Sequence, residues 1–576
     1  MTPEREQPLY PRIAVVATAV ATTVVALSAR LAWLTTRADS AQAAAVSTYA
    51  IEAPRGSIWD RDGDLLAVET YAYDIGVDLP TLGGYDAAAL AAVAGPVLGR
   101  PAADIEAAIA EGRADVRRRW ISLARGVGAD TLDALRRARV PVGDDTVSLQ
   151  AMGLTTERLP RRSYPLGADA AHVTGFLNLD GEAHYGIEGR YDAELTGRAG
   201  TLAGYEGTDP RAFRPSRPGA DLRLTIDRDI QVAASRALRD VVEDQSASGG
   251  TVVVLEARTG AVLAMASWPA YDPNQYAQAN PDAFLDPAIS KIYEPGSVVK
   301  AVTVASALDV GAVSADTQYH DTGTIEIDGV TIANWDHLAH GMTSLTEMLE
   351  HSLNVGAVHV AQALGGPRFY PALAAFGFGS PTGVDLEGEV AGIVRWPDRD
   401  PGWAPVYLAT NSFGQGMSAT PLQMAAAIGA IANDGVLMTP YVVAEILPPD
   451  GAPVPVAPRA RHQVIGPETA RTVRGMLLAV VDNHVTQAAI PGHAIAGKTG
   501  TSQIPTDGGY EEHATIASFC GFFPAADPRV VILAKVDRPE AVRGSEVAAP
   551  LFRAVAAAVI DALDLPPDRP VAEAAR

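Results

Sequence analysis

A serine and a lysine stand three positions apart in YEPGSVVKAV, residues 293–302, directly behind a Pro-Gly pair. If the chain is helical beyond Gly296, positions i and i+3 share one face, and the Ser297 hydroxyl lies beside the Lys300 amine. That pairing suits acyl transfer, because a lysine deprived of its proton is a base able to activate a serine nucleophile. Alone, the same pattern reads equally well as a helix-capping serine followed by a solvated lysine.

Two further short patterns follow it. HSLNVGA places Ser352 two positions before Asn354, and GKTGTS supplies Lys498, Thr499, Gly500 and Thr501. Singly, the first is a loop satisfying its own hydrogen bonds and the second a strand end. In the order S-x-x-K, S-x-N, K-T-G, with the first opening a predicted helix and the third on a predicted strand, they are a specific signal. Lys300 must be neutral to act as a base, so it needs desolvation or a neighbouring positive charge, which Lys498 can supply. Ser352 can relay a proton between Lys300 and a leaving amine, and Asn354 can hold a substrate backbone. Gly296 permits close approach of substrate, and the helix N-terminus beyond it favours developing negative charge. Gly500 on a strand keeps that edge open for an extended peptide.

The elements that must position these residues are readable in outline. DIQVAASRALRDVVED, from Asp229, has the periodicity of an amphipathic helix. GGTVVVLEARTGAVLAMAS (249–267) reads as a hairpin around Arg258-Thr259-Gly260, and AIAGKTGTSQ, TIASFCGFF and RVVILAKVD as three further strands. Strands at both ends with helices between predict an α+β fold: one antiparallel sheet flanked by helices. Thr420-Pro421 before LQMAAAIGAIANDG is a helix start with Gly435 past its end, and Gln415 and Gly416 just ahead are candidates to brace the site. Upstream, APRGSIWDRDGDLLAVE (53–69) reads as strand, Asp62-Gly63 turn, strand; residues 86–143 as a few short helices; and 37–50 as a helical or linking segment. Arg55, Asp60, Arg61 and Gly63 are expected to hold a domain corner.

Composition narrows the classes. At 576 residues the chain exceeds one domain, and a net charge of −23 argues against a nucleic-acid partner. The single cysteine, Cys520, excludes an internal disulfide and a Cys/His zinc pattern; its apolar setting marks it as core. Asp336, His337, His340 and His351 cluster near the second motif without four-ligand spacing, so no metal is expected there. From Ile13 to Ala29 the chain is uncharged, and beyond Arg30 an apolar run continues to Thr36, enough for one membrane span. A cleaved signal peptide ending in AQAAAVS (41–47) is the competing reading; the length of the run favours a retained anchor with the remainder outside the cytoplasm.

Together these motifs resemble the class B penicillin-binding proteins. RGSIWDRDGDLLA (55–67) and YGIEGRYDAELTGRAG (185–200) are similar to stretches of that family's non-catalytic domain. LTIDRDIQ (224–231), SFGQGMSATPLQ (412–423) and ASFCGFFPAADPRVV (517–531) are similar to further family segments. The S-x-N asparagine and NWDHLAHGMTSL (334–345) look most like the division, septal type. The resemblance implies a short cytoplasmic tail (1–11), a transmembrane anchor (12–36), a pedestal or dimerisation-type domain (37–220), a transpeptidase domain (221–566) and a tail (567–576). It implies a peptidoglycan D,D-transpeptidase. Ser297 attacks the penultimate D-alanine carbonyl of a stem peptide, expels the last D-alanine, and is released by an amine of a neighbouring stem. Ser297 and Thr501 backbone N–H groups would form the oxyanion hole, and Thr499 and Thr501, with Lys498 behind, would face the substrate carboxylate. β-Lactams would acylate the same serine. The expected partners are the membrane, a membrane glycosyltransferase or polymerase, and division proteins; no cofactor is required. A D,D-carboxypeptidase or β-lactamase using water, a β-lactam sensor and a catalytically dead scaffold are the alternatives. The large N-terminal domain, the short cytoplasmic tail and the intact motifs argue respectively against a β-lactamase, a sensor and a scaffold.

Overall fold

The computed structural model describes residues 10–43, 46–115, 117–205, 212–506 and 509–570. The chain divides into two units: residues 1–54 with 196–219, and residues 55–195 with 220–576. In the first, a helix spans Tyr10–Ala43, and its stretch Ala14–Leu34 is long and apolar enough to cross a membrane. The threonines in it return their hydroxyls to the helix, Thr18 to the Ala14 carbonyl and Thr22 to that of Thr18, so an apolar surround need not solvate them. Of the segment 37–50, expected to be helical or linking, the part to Ala43 continues the helix, while Val46–Ile51 is a strand paired antiparallel with Gly200–Tyr205, which pairs in turn with Ala212–Arg214. Its pairing partners lie about 150 residues away, beyond the reach of a local reading.

The second unit holds the predicted hairpin. Ile58–Trp59 pairs antiparallel with Leu65–Asp78, and Asp60, almost fully buried, accepts the backbone N–H groups of Asp62, Gly63 and Asp64. Arg55 reaches the buried Glu188 at 2.7 Å, so the RGS and GIEGR segments close one ionic corner. These strands join a seven-stranded sheet that also takes Trp120–Val127, Leu154–Ser163 and, in parallel with Ile58–Trp59, Asp221–Leu224. Residues 86–143 contain the expected helices, Ala87–Leu98, Ala102–Ala114 and Ala129–Arg137, but also the strand Trp120–Val127, whose partner Leu65–Asp78 lies far upstream. They enclose a separate apolar core built on Ile75, Leu90, Ile105, Ile109 and Leu132.

The remaining core belongs to the elements α1 (Arg228–Asp244), β1 (Gly249–Glu256), β2 (Val262–Trp268), α2 (Val299–Asp309), α3 (Asn354–Leu364), α4 (Pro421–Ala432), α5 (Pro467–Asn483), β3 (Ala496–Thr506), β4 (Gly509–Phe523), β5 (Val530–Asp537) and α6 (Ala548–Ala562). The sheet order is β2-β1-β5-β4-β3, every pair antiparallel, as the α+β reading requires. Asp227 caps α1, and Ile230, Ala234, Leu238 and Val242 form its buried stripe at i, i+4 spacing. α2 is buried on every side from Val299 to Ala307, as a helix through the middle of a domain must be. α4 is likewise wholly buried; Thr420 and Gln423 close a capping box around Pro421, and Gly435 follows its end at φ +85°.

Candidate active site

Ser297 lies in the single 3₁₀ turn Gly296–Val298 that runs into α2, with Gly296 at φ +59°. One turn on, Lys300 is fully buried. Its Nζ donates to the Ser352 carbonyl at 2.6 Å and to Asn354 Oδ1 at 2.8 Å, with Ser352 Oγ at 3.4 Å. Nζ thus has two close acceptors and a third, longer one. Burial, and then the charge of Lys498, hold Lys300 well below the ordinary lysine range.

Lys498, also buried, extends from β3 to Ser352 Oγ at 2.9 Å and to the Thr499 carbonyl at 3.2 Å. Burial pushes its pKa down to about 7. Ser352 Oγ therefore lies between two amines. It is put there by a backbone in the left-handed region, φ +57°, rare for a side chain other than glycine and costing roughly 1–3 kcal/mol. The strain falls between two helices, Leu345–Glu350 and α3. Asn354 uses its amide inside the protein: Oδ1 accepts from Lys300 and Nδ2 donates to the Ala333 carbonyl at 2.9 Å. It is thus first a partner of the lysine.

β3 is the edge strand of the sheet, so Thr499 to Thr501 present an unpaired side along it. Packing adds a second constraint at Gly500. A Cβ there would meet Ser518 Oγ at 2.4 Å and the Pro295 carbonyl at 2.7 Å, so glycine lets β3 lie against the nucleophile turn. Thr501 is exposed, and its Oγ1 accepts the Gly544 N–H at 3.1 Å. Ser297, Ser352, Asn354, Thr499 and Thr501 all line one cleft of about 570 Å³. Lys300 and Lys498 sit behind its wall.

The loop 412–416 braces the turn, as its position before α4 suggests. The Gly296 N–H donates to the Gly414 carbonyl at 3.1 Å, and Thr303 Oγ1 to that of Ser412 at 2.8 Å. The Gly416 N–H donates to Glu294, a nearly buried carboxylate raised by desolvation that also accepts from Tyr510 at 3.2 Å. Glu294 had no signal in the sequence beyond adjacency to Pro-Gly-Ser. Neither had His484 at the end of α5 nor Arg543, whose guanidinium stacks 4.9 Å from the ring of Trp335 in the NWDHLAHGMTSL stretch; all three are in the cleft wall. Of the histidines near the second motif, His340 and His351 come together with ring centroids 5.4 Å apart. Among the described residues no group of three or more ligands could hold a metal ion. Cys520 is fully buried in β4, where desolvation pushes its thiol up.

A buried lysine one turn from a serine, a strained serine between two lysines, and an edge strand beside them form an arrangement able to carry acyl transfer on an α+β sheet. Two family profiles match the chain: the Penicillin binding protein transpeptidase domain over residues 250–557 and the Penicillin-binding Protein dimerisation domain over residues 50–203. The chain is 35% identical to Stage V sporulation protein D of Bacillus subtilis over 68% of this chain, spanning 62% of that protein's length. It is 35% identical to Penicillin-binding protein PbpB of Mycolicibacterium smegmatis over 76% of this chain and 70% of the relative. It is 30% identical to Peptidoglycan D,D-transpeptidase FtsI of Escherichia coli over 90% and 85%. A crystal structure of penicillin-binding protein 3 from Mycobacterium tuberculosis, complexed with aztreonam, superposes with a TM-score of 0.69 at 30% identity, covering 91% of this chain and 99% of that one. The chain belongs to the penicillin-binding proteins, class B and division type, and carries a transpeptidase domain.

Proposed function

We propose that this chain is a peptidoglycan D,D-transpeptidase that cross-links stem peptides through a Ser297 acyl-enzyme and is a target of β-lactams. One observation carries the reading most: Lys300, one turn from Ser297, is fully buried, bonded to Ser352 and Asn354, and held below the lysine range by burial and Lys498. A lysine in that state removes the serine proton at neutral pH. Ser352, between both amines, passes it to the departing D-alanine nitrogen. The backbone N–H groups of Ser297 and Thr501 hold the oxyanion, a contribution of roughly 3–4 kcal/mol per donor. Lys498, Thr499, Gly500 and Thr501 bind the D-Ala-D-Ala end along the β3 edge, with the terminal carboxylate toward the two threonines. An amine from a second stem then releases the acyl group as a cross-link.

The Ala14–Leu34 helix supports a single-pass anchor, with residues 1–11 cytoplasmic and the catalytic domain outside. In that reading residues 37–220 are the non-catalytic pedestal domain and residues 221–566 the transpeptidase domain. A membrane glycosyltransferase and division proteins are the partners this reading implies, at the septum. A fluorescent penicillin should label the full-length protein covalently and fail to label Ser297→Ala. With a stem-peptide donor and an amine acceptor, the wild type should form amide product; hydrolysis alone at every acceptor concentration would make it a carboxypeptidase. A fluorescent fusion concentrated along the side wall rather than the septum would remove the division role.

A further inference from the structure

An acceptor amine has an ordinary pKa near 10.4, so at neutral pH it arrives as an ammonium and cannot attack. Lys300, Ser352 and Lys498 return a proton to Ser297, and the roles proposed for them leave the first proton of that ammonium without a destination.

The same cleft contains a second cluster of titratable groups. His484 caps the C-terminal end of the seventeen-residue helix α5 and lines the cleft beside Ser297, Ser352 and Asn354. Its Nε2 is 3.6 Å from Glu350 Oε2, and its ring meets that of His351 edge-on at 4.3 Å. Glu350 is held in turn by Asn483 Nδ2 at 2.5 Å. His351 is fixed by the Trp335 indole, which donates to its carbonyl at 2.8 Å, and faces His340, itself 2.8 Å from Asp336. Burial, and then the two neighbouring imidazoles, lower His351, with Glu350 and Glu347 opposing them. His484, by contrast, stands between the Glu350 carboxylate and the C-terminal end of α5.

We propose that His484, backed by Glu350, accepts the proton of the acceptor ammonium in the deacylation half-reaction. This rests on the transpeptidase reading above. The ammonium gives one proton to the imidazole, and the free amine forms a C–N bond to the acyl carbon. The C–O bond to Ser297 breaks as the second nitrogen proton passes through Lys300 and Ser352 to the serine oxygen. The imidazolium then loses its proton to solvent. Products are an amide, a free serine and a neutral histidine, so atoms and charge balance.

The test is the partition of one acyl-enzyme between amine and water, measured on the full-length protein with an N-acyl-D-alanine ester donor. Because the ratio counts acylated molecules only, neither misfolding nor slow acylation enters it. With an alkylamine acceptor at pH 7, His484→Gln should lower the amide-to-acid ratio at least about tenfold, the low side for a lost general base. The deficit should close as pH nears about 10, where the amine is free. With hydroxylamine, unprotonated at pH 7, the variant should match the wild type. Glu350→Gln should shift the alkylamine ratio in the same sense, by less. An unchanged alkylamine ratio in His484→Gln, or a deficit that persists with hydroxylamine, overturns the proposal. A wild type that forms no amide with either acceptor instead defeats the transpeptidase reading on which it stands.

Discussion

The second unit contains two cores of opposite character. The one built on residues 75–154 is apolar throughout: no polar or charged side chain is buried in that stretch among its described residues. The core around α2 buries Lys300 and Lys498 as completely as its leucines, with Glu294 close behind. A lone buried cation costs several kcal/mol, and proteins respond by depressing its pKa. The first core carries no such penalty, whereas the second gives up some stability to bury two amines, the state the proposed acyl transfer needs.

The contrast can be broken most sharply at Ser297. Ser297→Ala should abolish covalent labelling by fluorescent penicillin while leaving the thermal transition nearly unchanged, since it removes a hydroxyl and no core volume. A labelled variant would place the nucleophile elsewhere. In the other core, Leu90→Ala should behave in the opposite way. Its side chain is fully buried, so the truncation should cost about 2–5 kcal/mol in denaturant unfolding while penicillin acylation keeps its rate below the transition. An equal loss of acylation would show that the two cores are coupled.

Lys300→Arg keeps a cation but not a base, because guanidinium does not release its proton near neutral pH. Acylation should slow at least ~10²-fold while reversible penicillin binding survives. Wild-type acylation in this variant would reduce the lysine to a charge and move the base to a water at Ser352. The smallest effect concerns pH and stability. Lys498 has a folded pKa of about 7, below its unfolded value, so between about pH 7 and pH 10 the unfolded chain binds more protons. Lys498 should therefore contribute a rise of unfolding free energy with pH across that window, on the order of 1 kcal/mol per pH unit, and Lys498→Met should lose that share of the slope while the share of Lys300 remains. Parallel pH profiles for the two proteins would mean that Lys498 stays charged in the fold.

Much of this was legible in one dimension because it is local. The spacing of Ser297 and Lys300, the Thr420-Pro421 helix start and the Asp62-Gly63 turn each depend on residues within one helical turn or hairpin. The strands Val46–Ile51 and Trp120–Val127 were not legible, because their partners are distant and strand pairing carries little intrinsic signal. A second constraint on Gly500 was not legible for the same reason: a side chain there would meet Ser518 Oγ on the neighbouring strand and the Pro295 carbonyl, far upstream in the chain.

The order of three motifs, an uncharged N-terminal run and alternating strand patterns are properties of residue type and spacing; they determined the family and the α+β class and singled out Ser297 and Lys300 as the candidates for chemistry. The tertiary structure decided what those residues can do. Only packing removes water from Lys300 and Lys498, turns Ser352 through φ +57° to lie between them, and brings His484 from the end of α5 to His351. A proton affinity depends on which groups are within a few ångströms and on how much water remains there, and neither quantity exists until the chain has folded.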